Sequence, residues 1–370
     1  MNNLLLCIKD GIYLGRGHQA KCPFLDMQRL KVIKGPQAVM FGKSATAGAF
    51  SMITNSPTDK NEVSVEYGSD NDRRISAIAN FAINDDLAIR IAAFDESMDG
   101  YINNVARDKD EASSEASGVR LSADWQLNDN LSALLKWEHA SFDTKGSRYQ
   151  YIIDEISRDE QIASDPTNPG NIGYRSFLLP DDSGLDYTSA VSDVAHPNGL
   201  DEGNSPTSNN VVLPLTYDVG LHEFTSIITY SEYDWDALFD ADYSEVSLIR
   251  QDYTEDFEQF TQEFRVSSQA GETFEYVAGV FYMNSELSHP NDILVAASTL
   301  IPTLPSATPV DTRALSQQEQ EIYSAFASLT WNVNPDWRAN LGLRYQKEEE
   351  VSSLQSSYAI YAQGVPEPVQ

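Results

Sequence analysis

The feature that most restricts the fold of this chain is a two-residue alternation of apolar and polar side chains. Between residues 119 and 127, every odd position is apolar and every even position is polar. Successive side chains of a β-strand point to opposite faces, so such a segment predicts a strand with one apolar face. Eleven segments follow this pattern: residues 63–67, 75–83, 87–93, 119–127, 131–137, 213–219, 222–240, 260–266, 274–282, 323–331 and 337–345.

The links between these segments alternate in length. Short turns are expected at residues 84–86, 128–130, 220–221, 269–273 and 332–336. Longer links are expected at residues 99–116, 144–210, 241–256, 290–316 and beyond 350, and only the short link at 68–71 departs from the alternation. Short turns at one end and long loops at the other are typical of a barrel in an outer membrane, whereas a soluble β-sandwich would not separate them.

The polar positions of the alternation predict which face of each strand would line the barrel. Charged side chains on the lipid face are destabilising, so they are expected to point into the lumen. The charged residues concerned are Arg90, Arg120, Lys136, Glu138, Glu263, Arg265, Arg338 and Arg344. Several aromatic residues next to short turns would instead lie at a membrane rim: Trp125, Phe274, Trp331 and Trp337.

Residues 10–54 differ from the rest of the chain and carry a motif rich in small residues. Its members are Asp10, Gly11, Lys34, Gly35, Pro36, Gln37, Phe41, Gly42 and Gly48. In order and spacing this region resembles the plug domain of TonB-dependent outer-membrane receptors. That family usually has an arginine where Lys34 stands and often a second glycine where Ala47 stands.

The resemblance implies an all-β transmembrane barrel, here a partial one of about eleven antiparallel strands forming an open half-barrel, with a small α+β plug remnant. Residues 1–57 would be a partial plug and residues 58–370 the N-terminal half of the barrel. The implied location is the outer membrane of a Gram-negative bacterium. The implied partners are membrane lipid, the TonB energy-transducing complex and a small solute, with a ferric siderophore favoured over cobalamin, haem or an oligosaccharide.

The resemblance also implies how the plug is held. The family's plug carries a cation at the position of Lys34, and the barrel must bind the plug reversibly. We therefore expect an ion pair between Lys34 and a carboxylate in the lumen, with Glu263 as the candidate. The ligand-binding residues cannot be chosen from the sequence.

Charge and composition exclude other classes. The formal net charge of −31 argues against nucleic-acid binding, which needs a basic face. The acidity fits solvated loops, although residues 181–186 could bind calcium. Cys7 and Cys22 could form a disulfide or stay as thiols. No run of eighteen apolar residues exists that would predict a transmembrane helix.

The residues do not predict an enzyme. The five histidines lack zinc-ligand spacing, and no nucleophile elbow or phosphate-binding loop is present, so no catalytic residue, metal site or cofactor is expected. A passive pore, a surface adhesin and a soluble all-β enzyme remain alternatives. The sequence before residue 10 lacks a signal peptide and a TonB-contacting segment, so the chain is expected to be a receptor fragment, whether through a truncated gene or a misassigned start.

Overall fold

The computed structural model describes residues 5–19, 21, 23–35, 39, 42, 47–104, 108–146, 202–241, 249–295, 310–334 and 336–360. Cys22, Pro36, Gln37, Phe41 and the segment 181–186 lie outside these ranges. The possible Cys7–Cys22 bridge, the calcium site and the positions of those three motif residues therefore stay predictions.

Eleven strands form one large antiparallel sheet. They are β5 (Glu62–Tyr67), β6 (Arg73–Ala82), β7 (Leu87–Met98), β10 (Ser113–Asn128), β11 (Leu131–Lys145), β12 (Gly203–Val219), β13 (His222–Asp240), β14 (Ile249–Ser268), β15 (Phe274–Val295), β16 (Val310–Asn334) and β17 (Trp337–Ile360). Each strand pairs with its neighbours in chain order, and β5 and β17 form the two edges. The eleven strands predicted from the alternation are thus confirmed, and so is the open sheet that the resemblance implied.

Several strands extend beyond the predicted segments. β14 starts at Ile249, although residues 241–256 were expected to be a loop, and β15 continues to Val295. A short hairpin of β8 (Ile102–Asn104) and β9 (Lys109–Glu111) also lies within the expected loop at 99–116. The long links are therefore shorter than the sequence predicted.

One face of the large sheet carries an exposed apolar band. Leu121 is 39% exposed, whereas its neighbour Arg120, on the opposite face, is 2% exposed. Phe274 and Trp331 pair near the short turns, with their ring centroids 6.0 Å apart. Tyr282 of β15 pairs with Tyr323 of β16 on the same face. This pair lies about 26 Å from Phe274 along the strand, away from the short turns. The width of the band suits a bilayer spanned by tilted strands.

Four further strands form a small mixed sheet. They are β1 (Leu5–Lys9), β2 (Ile12–Leu14), β3 (Met27–Lys34) and β4 (Gly48–Thr54), in the order β2-β1-β4-β3. β1 and β4 are parallel, while the other two pairs are antiparallel. Four described motif residues lie in or beside these strands: Asp10 and Gly11 between β1 and β2, Lys34 at the end of β3 and Gly48 at the start of β4.

The small sheet packs against the face of the large sheet opposite the apolar band. Ile12, Leu14 and Met52 form a buried cluster with Val212 of β12. Among the described residues, no helix is both long and apolar enough to cross a membrane.

The interface between the two sheets

Two neighbouring rows of side chains cross the large sheet on the face that meets the small sheet. The first inward row joins residues paired across eight strands: Arg90, Ser122, Lys136, Val212, Thr229, Thr261, Met283 and Ile322. The second inward row lies two residues further along: Ala92, Arg120, Glu138, Asn210, Ser231, Gln259, Ser285 and Gln320. All except Asn210 are buried. Polar groups buried in this way need partners.

Asp10 connects the small sheet to the first inward row. It lies in the β1–β2 turn, which Gly11 completes at a φ of +99° that side chains disfavour. The Asp10 carboxylate accepts hydrogen bonds from the Thr54 amide at 3.0 Å and from the Thr54 hydroxyl at 2.6 Å. The Lys136 ammonium lies 3.1 Å from Asp10 and donates to the Thr54 hydroxyl at 2.8 Å.

The charge on Asp10 is stabilised by these partners. Burial alone would raise the pKa of the Asp10 carboxyl, but Lys136 and the hydrogen bonds from Thr54 together outweigh it and hold the pKa below its ordinary range. Asp10 is therefore ionised at neutral pH, and the ion pair with Lys136 is present.

Lys9, the residue before Asp10, binds the second inward row. Its ammonium lies 2.5 Å from Oε1 of Glu138. The other carboxylate oxygen of Glu138 accepts hydrogen bonds from Nε and a terminal nitrogen of Arg120. Arg120 also donates to the main-chain carbonyl of Leu25 at 2.8 Å. One carboxylate therefore joins one cation from each sheet.

Asp26 makes the third charged connection. Arg90 forms two parallel hydrogen bonds with its carboxylate, at 2.6 and 2.7 Å. Arg90 also donates to the Thr58 hydroxyl and to the Asn80 side chain. The Asn55 amide donates to Asp26 at 2.7 Å. This bidentate geometry is the strong form of an arginine–carboxylate pair.

The β2–β3 loop meets the strands β13 and β14. His18 stacks on Trp235 with ring centroids 3.8 Å apart and planes 15° apart. Burial there lowers the pKa of His18 below its ordinary value, although Glu255 opposes this change. Arg16 lies 3.9 Å from Glu255 and over the ring of Phe257. This part of the loop contacts β13 and β14 through aromatic rings and one ion pair.

Neutral hydrogen bonds complete the interface on this side. Gln19 donates to the Ser231 hydroxyl at 3.1 Å, and Gln259 donates to the Tyr13 carbonyl at 3.0 Å.

Arg344 of β17 contacts the motif segment between β3 and β4. It donates to the Val39 carbonyl at 3.3 Å and to the Ser324 hydroxyl at 2.6 Å. Gly42 has a φ of +73°, and a Cβ atom there would lie 2.9 Å from the Arg344 guanidinium. The left-handed backbone favours glycine at position 42, and a side chain there would also displace the Arg344 guanidinium.

The structure does not bring Lys34 and Glu263 together. Lys34 is exposed at the end of β3 and forms no ion pair within the described part of the chain. Glu263 instead lies 3.6 Å from Arg265, its neighbour on the same face of β14. The prediction of a Lys34–Glu263 pair is therefore wrong. Other residues of the N-terminal region provide the charges at the interface: Lys9, Asp10 and Asp26.

Gly35 and Gly48 of the motif lie at the ends of strands. Gly35 adopts a φ of +83° directly after β3, and Gly48 opens β4 opposite Lys34. The alternation had placed Arg90, Arg120, Lys136 and Glu138 in the lumen, and all four contact the small sheet. It gave no signal for Lys9 or Asp26 as their partners. In the ranges that the structure describes, no group of three metal-ligating side chains is present.

Comparison with known proteins identifies the family. Residues 155–359, more than half of the chain, match the β-barrel described as TonB dependent receptor-like. The chain therefore belongs to the TonB-dependent receptor family. Members of this family are outer-membrane proteins of Gram-negative bacteria, and they are transporters rather than enzymes.

Solved structures share the fold at low sequence identity. The ferric yersiniabactin uptake receptor FyuA of Yersinia pestis aligns with a TM-score of 0.70 and 15% identity, over 96% of this chain and 52% of that one. The ferripyoverdine receptor of Pseudomonas aeruginosa gives a TM-score of 0.62 and 13% identity, over 96% and 48%. The copper transporter OprC gives a TM-score of 0.53 and 12% identity, over 96% and 52%. The chain spans about half the length of these structures.

Proposed function

We propose that this chain takes part in energised uptake of a scarce solute across the outer membrane, with a ferric siderophore as the favoured cargo. Residues 1–57 act as part of a plug, and residues 58–370 act as the N-terminal half of the barrel around it. The observation that carries the proposal is the interface between the two sheets, where buried ion pairs rather than a continuous apolar core hold the small sheet.

A polar interface suits a plug that must move. Within the described ranges, its apolar contact with the barrel consists of small separate clusters, one of Ile12, Leu14 and Met52 with Val212, and one of Leu25 with Ala92 and Phe94. Charged groups that separate regain hydration, which offsets part of the lost attraction. A plug fixed by a large apolar core would lack that compensation. Work from the TonB complex can therefore displace this small sheet without unfolding the barrel.

The cargo follows from similarity alone. One of the compared structures is a ferric yersiniabactin uptake receptor and another is a ferripyoverdine receptor, whereas a third is a copper transporter. A siderophore is thus the favoured solute, and cobalamin, haem or an oligosaccharide are the alternatives.

The open edges of the sheet place a condition on the working receptor. Unpaired backbone groups in lipid cost several kcal/mol each, so β5 and β17 need neighbours. Successive strands are antiparallel, so these two edges run in the same direction. An odd number of additional strands must therefore close the barrel, and a second copy with the same orientation in the membrane does not meet this condition, because its β5 would run parallel to β17. Without such strands, the chain would be a non-functional fragment.

The test is uptake by cells that produce the receptor. Radiolabelled ferric siderophores of the catecholate, hydroxamate and carboxylate classes are supplied with and without a proton-motive force, and in cells with and without TonB. We expect uptake of one class that stops when either energy or TonB is removed. Uptake that continues in de-energised cells would indicate a passive pore, and cell attachment without uptake of any solute would indicate an adhesin.

A further inference from the structure

The β2–β3 loop contacts the barrel beyond the outer edge of the apolar band. Ile228 of β13 lies in the same row as Tyr282, which marks that edge. Trp235, the partner of His18, lies about 23 Å further along β13, away from the short turn that precedes this strand. The ends opposite the short turns of an outer-membrane barrel face the outside of the cell. The contact between His18 and Trp235 therefore meets the pH of the external medium.

Four aromatic rings form a stack that begins in the loop and ends in the barrel. His18 lies on Trp235, with centroids 3.8 Å apart and planes 15° apart. Trp235 is followed by Tyr253 of β14 at 5.9 Å, and Tyr253 is followed by His289 of β15 at 5.6 Å. Trp235 is buried, whereas His18 is exposed. The imidazole of His18 thus covers the indole ring and can exchange a proton with the medium.

The titratable groups around His18 come from its own loop and from three strands. They are Arg16 and Lys21 of the loop, Tyr233 of β13, Glu255 and Tyr253 of β14, and His289 of β15. Glu255 favours a proton on His18, whereas Lys21 and His289 disfavour it. Glu255 already has other partners, since it lies 3.9 Å from Nε of Arg16 and 3.9 Å from Nδ1 of His289.

The balance of these effects favours the neutral form of His18 in the stack. Burial lowers the pKa of His18 below its ordinary value, and this effect exceeds the opposing attraction of Glu255. A histidine that leaves the stack regains an ordinary pKa of about 6.5. The stacked ring binds a proton more weakly than the free ring, so protonation favours release. The contact is therefore complete above about pH 6.5 and weakens as the pH falls below that value.

We propose that the β2–β3 loop is a pH-sensitive latch, which is closed on Trp235 while the His18 ring is neutral and is released when that ring is protonated. In the closed latch, Gln19 also donates to the Ser231 hydroxyl at 3.1 Å. A proton on His18 adds a positive charge between Arg16 and Lys21 in a loop whose carboxylate partner is already engaged. The latch belongs to the resting contact between the two sheets, so it is measured without any solute.

Two exposed positions can report whether the latch is closed. Gly17→Cys lies in the loop, where a Cβ atom would meet nothing within 4 Å, and Asp129→Cys lies in the short turn between β10 and β11. Both are introduced together with Cys7→Ser and Cys22→Ser, and both carry nitroxide spin labels. Pulsed EPR measures the distances between the labels in isolated outer membranes at about pH 7.5 and about pH 5.5, on either side of the ordinary histidine pKa. Asp10 stays ionised at both pH values, because its pKa is lowered, so the attachment at the β1–β2 turn is unchanged.

We expect the population at displaced distances to rise at least about twofold at the lower pH, and to fall again when neutral pH is restored. His18→Phe keeps a ring on Trp235 without a titrating group, so its distances should not change with pH. His18→Gln, which is also uncharged at both pH values, is the second variant if the phenylalanine alters the closed state. His289→Phe is the matched control and should retain the response.

Three results would overturn the latch: a response that persists in both His18 variants, a response that vanishes in His289→Phe, or an unsubstituted loop whose distances are the same at both pH values.

Discussion

Lys9 and Glu138 lie 129 positions apart in the sequence, and their charged atoms meet at 2.5 Å with both side chains almost fully buried. Glu138 is shared with Arg120, so a single carboxylate balances two cations. The pair joins the first strand of the small sheet to a central strand of the barrel. It makes Glu138 the residue on which the attachment of the plug depends most.

Glu138→Gln should therefore weaken the plug more than any other single neutralisation. The change leaves Lys9 and Arg120 buried without a counter-charge, and we expect a loss of about 3–5 kcal/mol in plug stability. The measurement is the urea concentration at which protease begins to cleave residues 5–54. Glu263→Gln is the control, since its pair with the half-exposed Arg265 should contribute less than about 1 kcal/mol. Equal losses in the two variants would contradict this interpretation.

The attachment should also depend on acid pH through Asp10. Its pKa is held below the ordinary value, so its stabilising effect is fully present above about pH 4 and is lost as the pH falls through the folded-state pKa. We expect amides of β1 and β2 to gain hydrogen exchange at those low pH values, after correction for the intrinsic rate. Asp10→Asn should weaken the plug at neutral pH and reduce this response. Asp85→Asn, in an exposed turn, should leave it unchanged.

Gly42 allows a test of the Arg344 contact. Gly42→Ala and Gly35→Ala both force alanine into a left-handed conformation, which costs about 1–2 kcal/mol. Only at Gly42 would the new methyl group also crowd the guanidinium, because nothing lies within 4 Å of a Cβ at Gly35. We expect Gly42→Ala to destabilise the plug by up to about 1 kcal/mol more than Gly35→Ala does. Adding Arg344→Ala to Gly42→Ala should remove this difference. An excess that persists in the double variant would exclude the contact as its cause.

The apolar band predicts unequal effects for two residues of β16 that lie on opposite faces. Ala325 faces outward and Ser328 faces inward. Ala325→Arg should destabilise the barrel in lipid by about 2–4 kcal/mol, because the charge enters the bilayer. Ser328→Arg should have less than half of that effect. Folding into vesicles, followed by the heat-dependent shift of the barrel on gels, measures both, and equal effects would show that the band does not face lipid.

The strands could be predicted because lipid imposes the alternation that the sequence displays. All eleven segments are strands of one sheet, in chain order. Their outer ends could not be predicted, because beyond the apolar band both faces of a strand meet water. β14 begins at Ile249, eleven positions before the predicted segment at 260–266. In residues 249–259, polar and charged side chains occupy both faces of the strand. No period of two marks such a region.

Only the barrel residues of the interface could be predicted from the sequence, and not their partners in the small sheet. The alternation placed Arg90, Arg120, Lys136 and Glu138 in the lumen, since charge is excluded from the other face. Their partners depend on how the small sheet is seated, and no periodicity encodes that arrangement. The Lys34–Glu263 pair was expected from the resemblance, yet Lys34 is exposed and Glu263 lies beside Arg265.

The central claim is that uptake requires the small sheet to be displaced from the barrel. A disulfide between Val39, in the segment that links β3 to β4, and Gly342 of β17 tests it directly. A Cβ at Gly342 would lie 3.4 Å from the Cβ of Val39, close to the usual separation in a disulfide. The other crowded atoms are the Val39 methyl groups, which Val39→Cys removes.

The double variant is made with Cys7→Ser and Cys22→Ser, and each single cysteine variant serves as a control. Energised uptake is measured in cells under oxidising conditions and again after reduction. We expect uptake to be abolished when the disulfide is formed and restored when it is reduced, with the single variants active throughout. Undiminished uptake with the disulfide fully formed would contradict the account.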